Sequence, residues 1–100
     1  MPTDEQIERV RDLIRSVPEG KVTTYGDVAE AAHLPTPRMT AWVLRHDGSD
    51  LPWQRVVRAN GTPAPHIATR QLELLQEEGV PIRDGRVDLR AARVVLPPPD

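Results

Sequence analysis

The sequence predicts a mainly α-helical domain with small β elements, of a winged helix-turn-helix-like kind. Three observations support this fold class. Apolar residues recur at helical spacing near the N-terminus, two short capped helices follow with a tight turn between them, and an Asp84-Gly85 turn signal near the C-terminus favours a hairpin that would form the wing. A chain of 100 residues, of which 38% are hydrophobic, is long enough for one such domain and too short for two.

Four helices are predicted from capping residues and apolar periodicity. Thr3 with Gln6 and Thr24 with Asp27 have the spacing of capping boxes, and Thr36 precedes a proline, which is tolerated at the first position of a helix. The predicted helices cover approximately residues 4–17, 25–32, 37–46 and 69–78. The second and third, joined by a short proline-containing turn, form the predicted helix-turn-helix.

The remaining segments are shorter. Residues 51–57 are predicted to be extended, apolar and followed by the Asn60-Gly61 turn signal, after which comes a proline-rich loop. Residues 81–89 form the predicted hairpin. We expect residues 1–95 to form a single domain and residues 96–100 to form a disordered tail.

Composition argues against several classes of function. The chain has no cysteine, which removes disulfides, thiolate metal sites and a cysteine nucleophile. The histidines His33, His46 and His66 lack the spacing of a metal site, neither serine lies in a nucleophile motif, and no apolar run is long enough to span a membrane. We expect no catalytic residue, no metal and no cofactor, a monomer with no membrane contact, and a cytoplasmic location, nucleoid-associated if the source is bacterial.

Charge is distributed unevenly along the chain. The net charge is -2, which by itself argues mildly against nucleic-acid binding, but residues 21–70 hold six basic and four acidic groups. Arg38, Arg45, Arg55 and Arg58 are four of the six. Because guanidinium groups suit phosphates and base edges, the distribution favours a local nucleic-acid-binding patch on an acidic chain.

The third helix and the aromatic residues are the candidates for such a patch. Arg38, Trp42 and Arg45 fall at i, i+4 and i+7, so either one face of the helix binds nucleic acid, or Trp42 is core and the arginines are solvated. Tyr25 either contacts a phosphate or covers the start of its helix. Trp53 either lines a pocket for a planar ligand or fills the core. The residues alone leave these alternatives open.

One stretch of the chain resembles a known family. Residues 17–29, VPEGKVTTYGDVA, resemble the P-x-G-x-V-x-x-Y-G-x-(I/L/V)-A opening of the DNA-binding domain of O6-alkylguanine-DNA alkyltransferases. Residues 38–44 fall where that family has an arginine-led recognition helix, and residues 52–56, PWQRV, fall where it has Pro-Cys-His-Arg-Val. The resemblance spans approximately residues 7–80 and implies a DNA-binding domain of the alkyltransferase type.

Two departures from the family pattern identify a branch. Trp53 stands in place of the alkyl-accepting cysteine, and Gln54 stands in place of the histidine that helps to form its thiolate. The chain is therefore similar to the alkyltransferase-like proteins, which bind alkylated guanine without repairing it and mark it for nucleotide excision repair. Gln54 and Arg55 are expected to hold the loop that carries Trp53.

The resemblance implies a role for each matching residue. Tyr25 would press on the phosphate beside the lesion, and Arg38 would enter the base stack as the nucleotide rotates out. Ala41 would permit a close approach of the recognition helix in the minor groove. The residues assigned to DNA contact are Tyr25, Arg38, Thr40, Ala41, Trp42 and Arg45. The residues assigned to the alkylated-base pocket are Tyr25, Pro52, Trp53, Val56 and His66, where His66 would stack on the base.

We therefore predict a non-enzymatic DNA damage sensor with two partners, duplex DNA containing O6-alkylguanine and the proteins of nucleotide excision repair. It would dock by its helix-turn-helix in the minor groove and flip the base into a Trp-containing pocket without alkyl transfer. The alternative is a winged helix-turn-helix regulator that reads a sequence in the major groove, for which a dimerisation element would be expected. A residual alkyltransferase would need a thiol that the chain lacks.

Overall fold

Helices dominate the described residues, and every strand among these residues is two residues long, which confirms the mainly α class with small β elements. The computed structural model describes residues 1–97. The helices are α1 (Asp4–Arg15), α2 (Tyr25–Ala31), α3 (Pro37–Asp47), α4 (Ala68–Glu77) and α5 (Leu89–Ala92). The strands are β1 (Thr23–Thr24), β2 (Val56–Val57), β3 (Ile82–Arg83) and β4 (Arg86–Val87), and 3-10 turns form at Trp53–Arg55 and Pro65–Ile67.

The predicted capping box of α1 is confirmed. The Thr3 hydroxyl accepts a hydrogen bond from the Gln6 amide at 3.1 Å, and the Gln6 side chain accepts one from the Thr3 amide at 2.9 Å. The buried face of α1 consists of Val10, Leu13 and Ile14. The helix ends at Arg15, two residues before the predicted end, and places this apolar face against α2 and α3.

The helix-turn-helix formed by α2 and α3 is confirmed. The Thr24 hydroxyl accepts a hydrogen bond from the Asp27 amide at 3.0 Å at the start of α2, whereas Thr36 occupies the cap position of α3 without a side-chain hydrogen bond. Between the helices, His33 adopts a left-handed conformation, with φ of 58°, and turns the chain. The buried residues of α1, α2 and α3 share one core cluster, so the pair of helices is held rigidly on α1.

The prediction that residues 51–57 are extended throughout was wrong. Trp53–Arg55 form a 3-10 turn, in which the Arg55 amide donates to the Pro52 carbonyl at 3.0 Å. Only β2 is extended, and it pairs in parallel with β1, with Thr23 opposite Val56. Because the partner strand lies far away in sequence and each strand has two residues, local patterns contain little signal for this pairing.

Helix α4 holds the 3-10 turn from behind through a buried polar side chain. Gln71 is fully buried, and its amide donates to the carbonyls of Gln54 at 2.9 Å and Val56 at 2.8 Å. Among the leucines of α4, Leu75 is fully buried, and Leu72 and Leu74 are half-buried. The helix thereby fixes the backbone within and directly after the turn that carries Trp53.

The predicted hairpin is confirmed by the antiparallel pairing of β3 with β4. It docks on the turn at Gly61, where the Val87 amide donates to the Gly61 carbonyl at 2.9 Å. Gly61 has φ of +84°, and a Cβ atom there would lie 2.5 Å from the Val87 carbonyl oxygen. The lack of a side chain at this position therefore allows the hairpin to pack directly on the turn.

The C-terminal segment packs back onto the domain. Residues 89–92, which were not predicted to be helical, form α5, and Arg93 makes a two-bonded ion pair with Asp27 of α2 at 2.8 and 2.6 Å. Leu96 is half-buried against the first core cluster, so the packed part extends one residue beyond the predicted boundary at 95. Residues 98–100 of the predicted tail lie outside the described residues. In the described part of the chain, no helix has the length and apolar character needed to cross a membrane.

Candidate nucleic-acid interface

A pocket of about 640 Å³ opens beside the helix-turn-helix. Its walls come from the first residues of α2, one face of α3, the 3-10 turn at Trp53–Arg55 and the segment 64–67. Six of the ten predicted site residues line it. They are Tyr25, Arg38, Ala41, Arg45, Trp53 and His66.

The apolar walls of the pocket are two aromatic rings and several aliphatic side chains. Tyr25 and Trp53 are both half-buried, so each ring is partly packed and partly presented to the pocket. Leu44 and Ile67 are the large aliphatic residues of the lining. A pocket with aromatic and aliphatic walls suits a flat, partly apolar ligand such as a nucleobase.

The position of Tyr25 follows from the start of α2. Thr24 caps the helix, which makes Tyr25 its first residue, and the buried Thr40 hydroxyl donates to the Tyr25 carbonyl at 3.0 Å. Burial raises the pKa of the Tyr25 phenol, although the nearby Arg58 guanidinium acts in the opposite direction. The phenol is therefore protonated at neutral pH and is able to donate a hydrogen bond to an anionic oxygen.

The polar part of the pocket is cationic. Arg38, Arg45 and Arg58 line it together with His66, and no carboxylate is among the described lining residues. All three arginines are exposed, and none of them forms a salt bridge with another described residue. The pocket thus concentrates positive charge on a chain whose net charge is -2, as the uneven distribution along the sequence predicts.

Four predicted site residues lie elsewhere. Thr40 and Val56 are fully buried, so their assignment to an accessible surface was wrong: Thr40 joins α3 to α2, and Val56 belongs to β2 and the core. Pro52 is half-buried and does not line the pocket. Trp42 is half-buried against the core, with its ring centre 4.5 Å from that of His46.

The helical geometry of α3 explains these differences. Arg38, Ala41 and Arg45 lie at i, i+3 and i+7 and share the pocket face, whereas Trp42 is rotated by one residue from that face. Thr40 and Val43 lie on the opposite, buried side. The helical spacing predicted the correct side of α3, but it placed Trp42 rather than Ala41 at the centre of the pocket face.

Several pocket residues were not predicted. Arg58 was recognised only as part of a basic region; its guanidinium donates to the Thr62 hydroxyl at 2.9 Å, and the backbone of the two residues is also hydrogen-bonded. The sequence feature that could have identified Arg58 is its position, directly after the Trp53 segment and before the Asn60-Gly61 turn. Leu44 and Ile67 are not among the predicted site residues, and Ile67 lies in a 3-10 turn that the pattern of the proline-rich loop did not predict.

Behind Trp53, the carboxylate of Glu78 connects three segments. It accepts hydrogen bonds from the side chains of Gln54 at 2.7 Å and Arg55 at 2.9 Å and from the Gly20 amide at 3.1 Å. Arg55 also donates to the Val17 carbonyl at 2.9 Å. The expected loop-holding role of Gln54 and Arg55 thus has a structural basis, and Glu78, which follows α4, is the partner that the sequence reasoning missed.

The environment of Glu78 favours its ionised form. Burial raises the pKa of this carboxyl group, but the hydrogen bonds from Arg55, Gln54 and Gly20 outweigh burial and bring the pKa below its usual value. The carboxylate is therefore charged at neutral pH, and it fixes the two residues that follow Trp53.

The chemistry available at the site is binding rather than nucleophilic attack by a thiol, because the chain contains no cysteine. Among the described residues, no group of three or more His, Asp or Glu side chains is placed to hold a metal ion. What the site offers is an apolar slot, three guanidinium groups and a phenol.

The fold and the site together define a helix-turn-helix DNA-binding domain of the alkyltransferase type. The chain belongs to the family described as the DNA-binding domain of 6-O-methylguanine DNA methyltransferase, whose model matches residues 5–80.

One relative of this chain is named for flipping DNA bases, and another is named for its likeness to alkyltransferases. The chain is 39% identical over 107 residues to the DNA base-flipping protein of Escherichia coli K12, covering 93% of this chain and 82% of the relative. It is 34% identical to alkyltransferase-like protein 1 of Schizosaccharomyces pombe, covering 82% of each.

Solved structures agree with this assignment. A crystal structure of S. pombe Atl1 in complex with damaged DNA containing O6-carboxymethylguanine superposes with a TM-score of 0.82 and 29% identity, covering 94% of this chain and 98% of that one. The O6-methylguanine methyltransferase of Mycobacterium tuberculosis superposes with a TM-score of 0.62 and 26% identity, covering 78% of this chain and 50% of the enzyme. The described domain therefore corresponds to about half of that enzyme.

Proposed function

We propose that this protein is a non-enzymatic sensor of O6-alkylguanine in duplex DNA. It holds the damaged base, rotated out of the helix, in the pocket between Tyr25 and Trp53, and it marks the lesion for nucleotide excision repair. The observation that carries the proposal is that Trp53, in the position where the alkyltransferase motif has its cysteine, lines a cationic pocket beside the helix-turn-helix.

Docking on DNA would depend on the positive charge around the pocket and on the close approach of α3 to the minor groove. Arg38, Arg45 and Arg58 are exposed, lack carboxylate partners among the described residues, and surround the pocket. Arg45 and Arg58 would neutralise phosphates on both sides of the damaged nucleotide, and the small Ala41, which lies between Arg38 and Arg45 on α3, would let this helix approach the minor groove. Binding should therefore weaken as salt concentration rises, for damaged and undamaged DNA alike.

Base rotation would depend on Tyr25 and Arg38. The Tyr25 phenol would donate its hydrogen bond to the phosphate of the damaged nucleotide, and Arg38, near the start of α3, would fill the space left in the stack. Extruding a base costs about a few kcal/mol and costs least for a weakened pair. Because O6-alkylation weakens the pairing of guanine, the protein would select lesions through this difference as well as through the pocket.

Holding the base without reaction would be the role of the apolar walls. The indole of Trp53 lies on the turn that the hydrogen bonds from Gln54 and Arg55 to Glu78 hold in place. It would stack against or enclose the alkylated base, and His66 would contact the base from another part of the pocket lining. With no thiol in the chain, the alkyl group would remain on the DNA. The resulting complex would persist as a signal on the duplex, acting as a monomer in the cytoplasm or nucleoid.

The relatives support this proposal. One relative of 39% identity is named a DNA base-flipping protein, and the structural relative with a TM-score of 0.82 was crystallised with DNA containing an O6-alkylated guanine. The coupling to nucleotide excision repair is proposed from the resemblance to the alkyltransferase-like branch. It requires that repair proteins bind the complex more tightly than they bind either component.

The test is a fluorescence-anisotropy titration of two matched duplexes, one with a single O6-methylguanine and one with guanine, at near-physiological salt. We expect at least about tenfold tighter binding to the lesion, which is about 1.4 kcal/mol. Trp53→Ala should reduce this preference, and Trp42→Ala is the matched control because Trp42 packs outside the pocket. Equal affinities of the wild-type protein for the two duplexes would refute the sensor and favour a sequence-reading regulator.

A mass measurement after incubation with alkylated DNA tests the absence of transfer. We expect the mass of the protein to be unchanged and the lesion to remain in the DNA. A covalent adduct on any residue would show that the chain contains an alkyl acceptor other than cysteine, and it would refute the non-enzymatic part of the proposal.

A further inference from the structure

A second groove of about 850 Å³ lies on the hairpin side of the molecule, outside the pocket described above. It is formed by the β3–β4 hairpin, the turn at Asn60 and the start of α5. Arg83, Arg86 and Arg90 line it, and all three are exposed. None of these residues belongs to the helix-turn-helix or to the base pocket.

The groove has an excess of positive charge. Its lining includes two carboxylates, Asp84 and Asp88, against the three arginines. Asp88 is engaged with the backbone, because it accepts a hydrogen bond from the Arg90 amide at 3.1 Å at the start of α5. In the part of the chain that the structure describes, none of the three guanidinium groups forms a salt bridge, so all three are available to an anionic partner.

The groove and the base pocket share a lining residue. Ala59, directly after the pocket residue Arg58, lines both cavities. The hairpin is fixed to the same loop, since the Val87 amide bonds to the Gly61 carbonyl and the absence of a side chain at Gly61 allows that contact. The arginines of the hairpin are therefore held at a set distance from the base pocket.

We propose that this groove binds the phosphate backbone of the DNA on one side of the damaged base, so that the hairpin lengthens the DNA contact. The inference rests on the proposed function, since it extends the same DNA complex. Guanidinium groups form paired hydrogen bonds with phosphate oxygens, and phosphate contacts position a duplex without reading its sequence. The longest dimension of the described part of the protein, 36 Å, equals about eleven base pairs at a rise of ~3.4 Å each.

The test compares two double variants that each remove two positive charges. Arg86→Gln with Arg90→Gln removes charge from the groove, and Arg9→Gln with Arg70→Gln removes the same charge from α1 and α4, which line neither cavity. We expect the groove variant to bind lesion and guanine duplexes several-fold more weakly at near-physiological salt. The dependence of log affinity on log salt should become less steep by about 0.9 for each phosphate that the variant no longer neutralises. Circular dichroism checks that both variants are folded.

Moving the lesion along the duplex locates the phosphates that the groove binds. With the damaged base near one end, the flank that the hairpin reaches is missing, and the groove variant should bind as well as the wild type. With the lesion near the other end, the groove variant should again bind more weakly by the full factor. The proposal would be overturned if the groove variant were weakened equally at both lesion positions, or if the groove and control variants bound equally well. A protein would then be the remaining candidate partner for the groove.

Failure of this inference can be distinguished from failure of the proposed function. If the wild type prefers the lesion and the groove variant binds DNA as tightly as the wild type does, the groove is not part of the DNA interface. The proposed sensor function then still stands. If the wild type shows no lesion preference, the sensor is refuted whatever the groove variant does. A weakened groove variant with a lower salt dependence and an unchanged ratio of lesion to guanine affinity supports phosphate binding in the groove.

Discussion

Replacement of Glu78 by glutamine should destabilise the protein more than any conservative change on its surface. The Glu78 side chain is 9% exposed and that of Arg55 is 18% exposed, and their closest atoms are 2.9 Å apart. Glutamine keeps the size of the side chain but removes its charge. Arg55 would then lie largely buried with only the Val17 carbonyl and the neutral amide as partners.

The magnitude follows from the cost of leaving a buried charge without its counter-ion. Breaking one partner of a buried ion pair costs about 3–5 kcal/mol, and the partial exposure of Arg55 argues for the lower end, about 3 kcal/mol. In a domain of this size, each kcal/mol shifts Tm by about 4–8 °C, so Tm should fall by at least about 12 °C.

Urea unfolding at pH 7, followed by circular dichroism, measures this destabilisation. Glu73→Gln is the control, because Glu73 is 57% exposed and its ion pair with Arg70 is 3.8 Å long; we expect a change below about 0.5 kcal/mol. If Glu78→Gln and Glu73→Gln unfold at the same urea concentration, the reasoning about the buried ion pair is wrong.

The effect should also depend on pH in a defined direction. Because the folded protein lowers the pKa of Glu78 below its ordinary value of 4.5, the carboxylate contributes stability that is present above about pH 4.5. That contribution is lost as the pH falls through the lower pKa of the folded state, since the proton then binds the group in both states. The difference between wild type and Glu78→Gln should therefore shrink on acidification, and a difference that grew would contradict the sign of the shift.

Three further changes separate the roles proposed for the site. Arg38→Ala should weaken binding to both duplexes in an anisotropy titration, with the larger effect on the lesion, and wild-type affinities would remove the role assigned to Arg38. Tyr25→Phe should leave initial docking nearly unchanged but reduce base rotation, followed by a fluorescent base analogue beside the lesion; an unchanged signal would mean that the phenol is not needed. Thr40→Val should cost about 1–2 kcal/mol in urea unfolding, because the Tyr25 carbonyl loses its buried partner, and should leave the DNA affinity of the folded protein within about twofold. Weaker DNA binding without a change in stability would restore Thr40 as a DNA contact.

The helical part of this fold was predictable because its determinants are local. The signals for a helix start, which are capping residues and proline, span four residues or fewer. They located α1, α2 and α3 to within two residues at each end. The β1–β2 pair was not predictable, because two residues supply no period and the helix-turn-helix separates the partner strands in the sequence. The 3-10 turn at Trp53 is stabilised from behind by Gln71 and Glu78, which are distant in sequence.

The candidate site, like the fold, was predictable where local sequence determines it and was not predictable where the tertiary structure determines it. Tyr25, Arg38 and Trp53 were found because they lie in motif positions, and the structure brings them to one pocket. Thr40 and Val56 lie in the same motif segments but point into the core, since a motif in the sequence does not state which side of an element each residue occupies. Arg58 lines the pocket from a turn in which its own side chain is hydrogen-bonded to Thr62.

In the proposed complex, the alkylated base enters the pocket and contacts Trp53. The chain has two tryptophans, so Trp42→Phe leaves Trp53 as the sole indole fluorophore while preserving an aromatic ring against the core. Titration of this variant with the O6-methylguanine duplex should quench Trp53 fluorescence through stacking with the base, and the matched guanine duplex at equal saturation should leave most of the signal. Equal quenching by both duplexes, or none by either, would contradict the account.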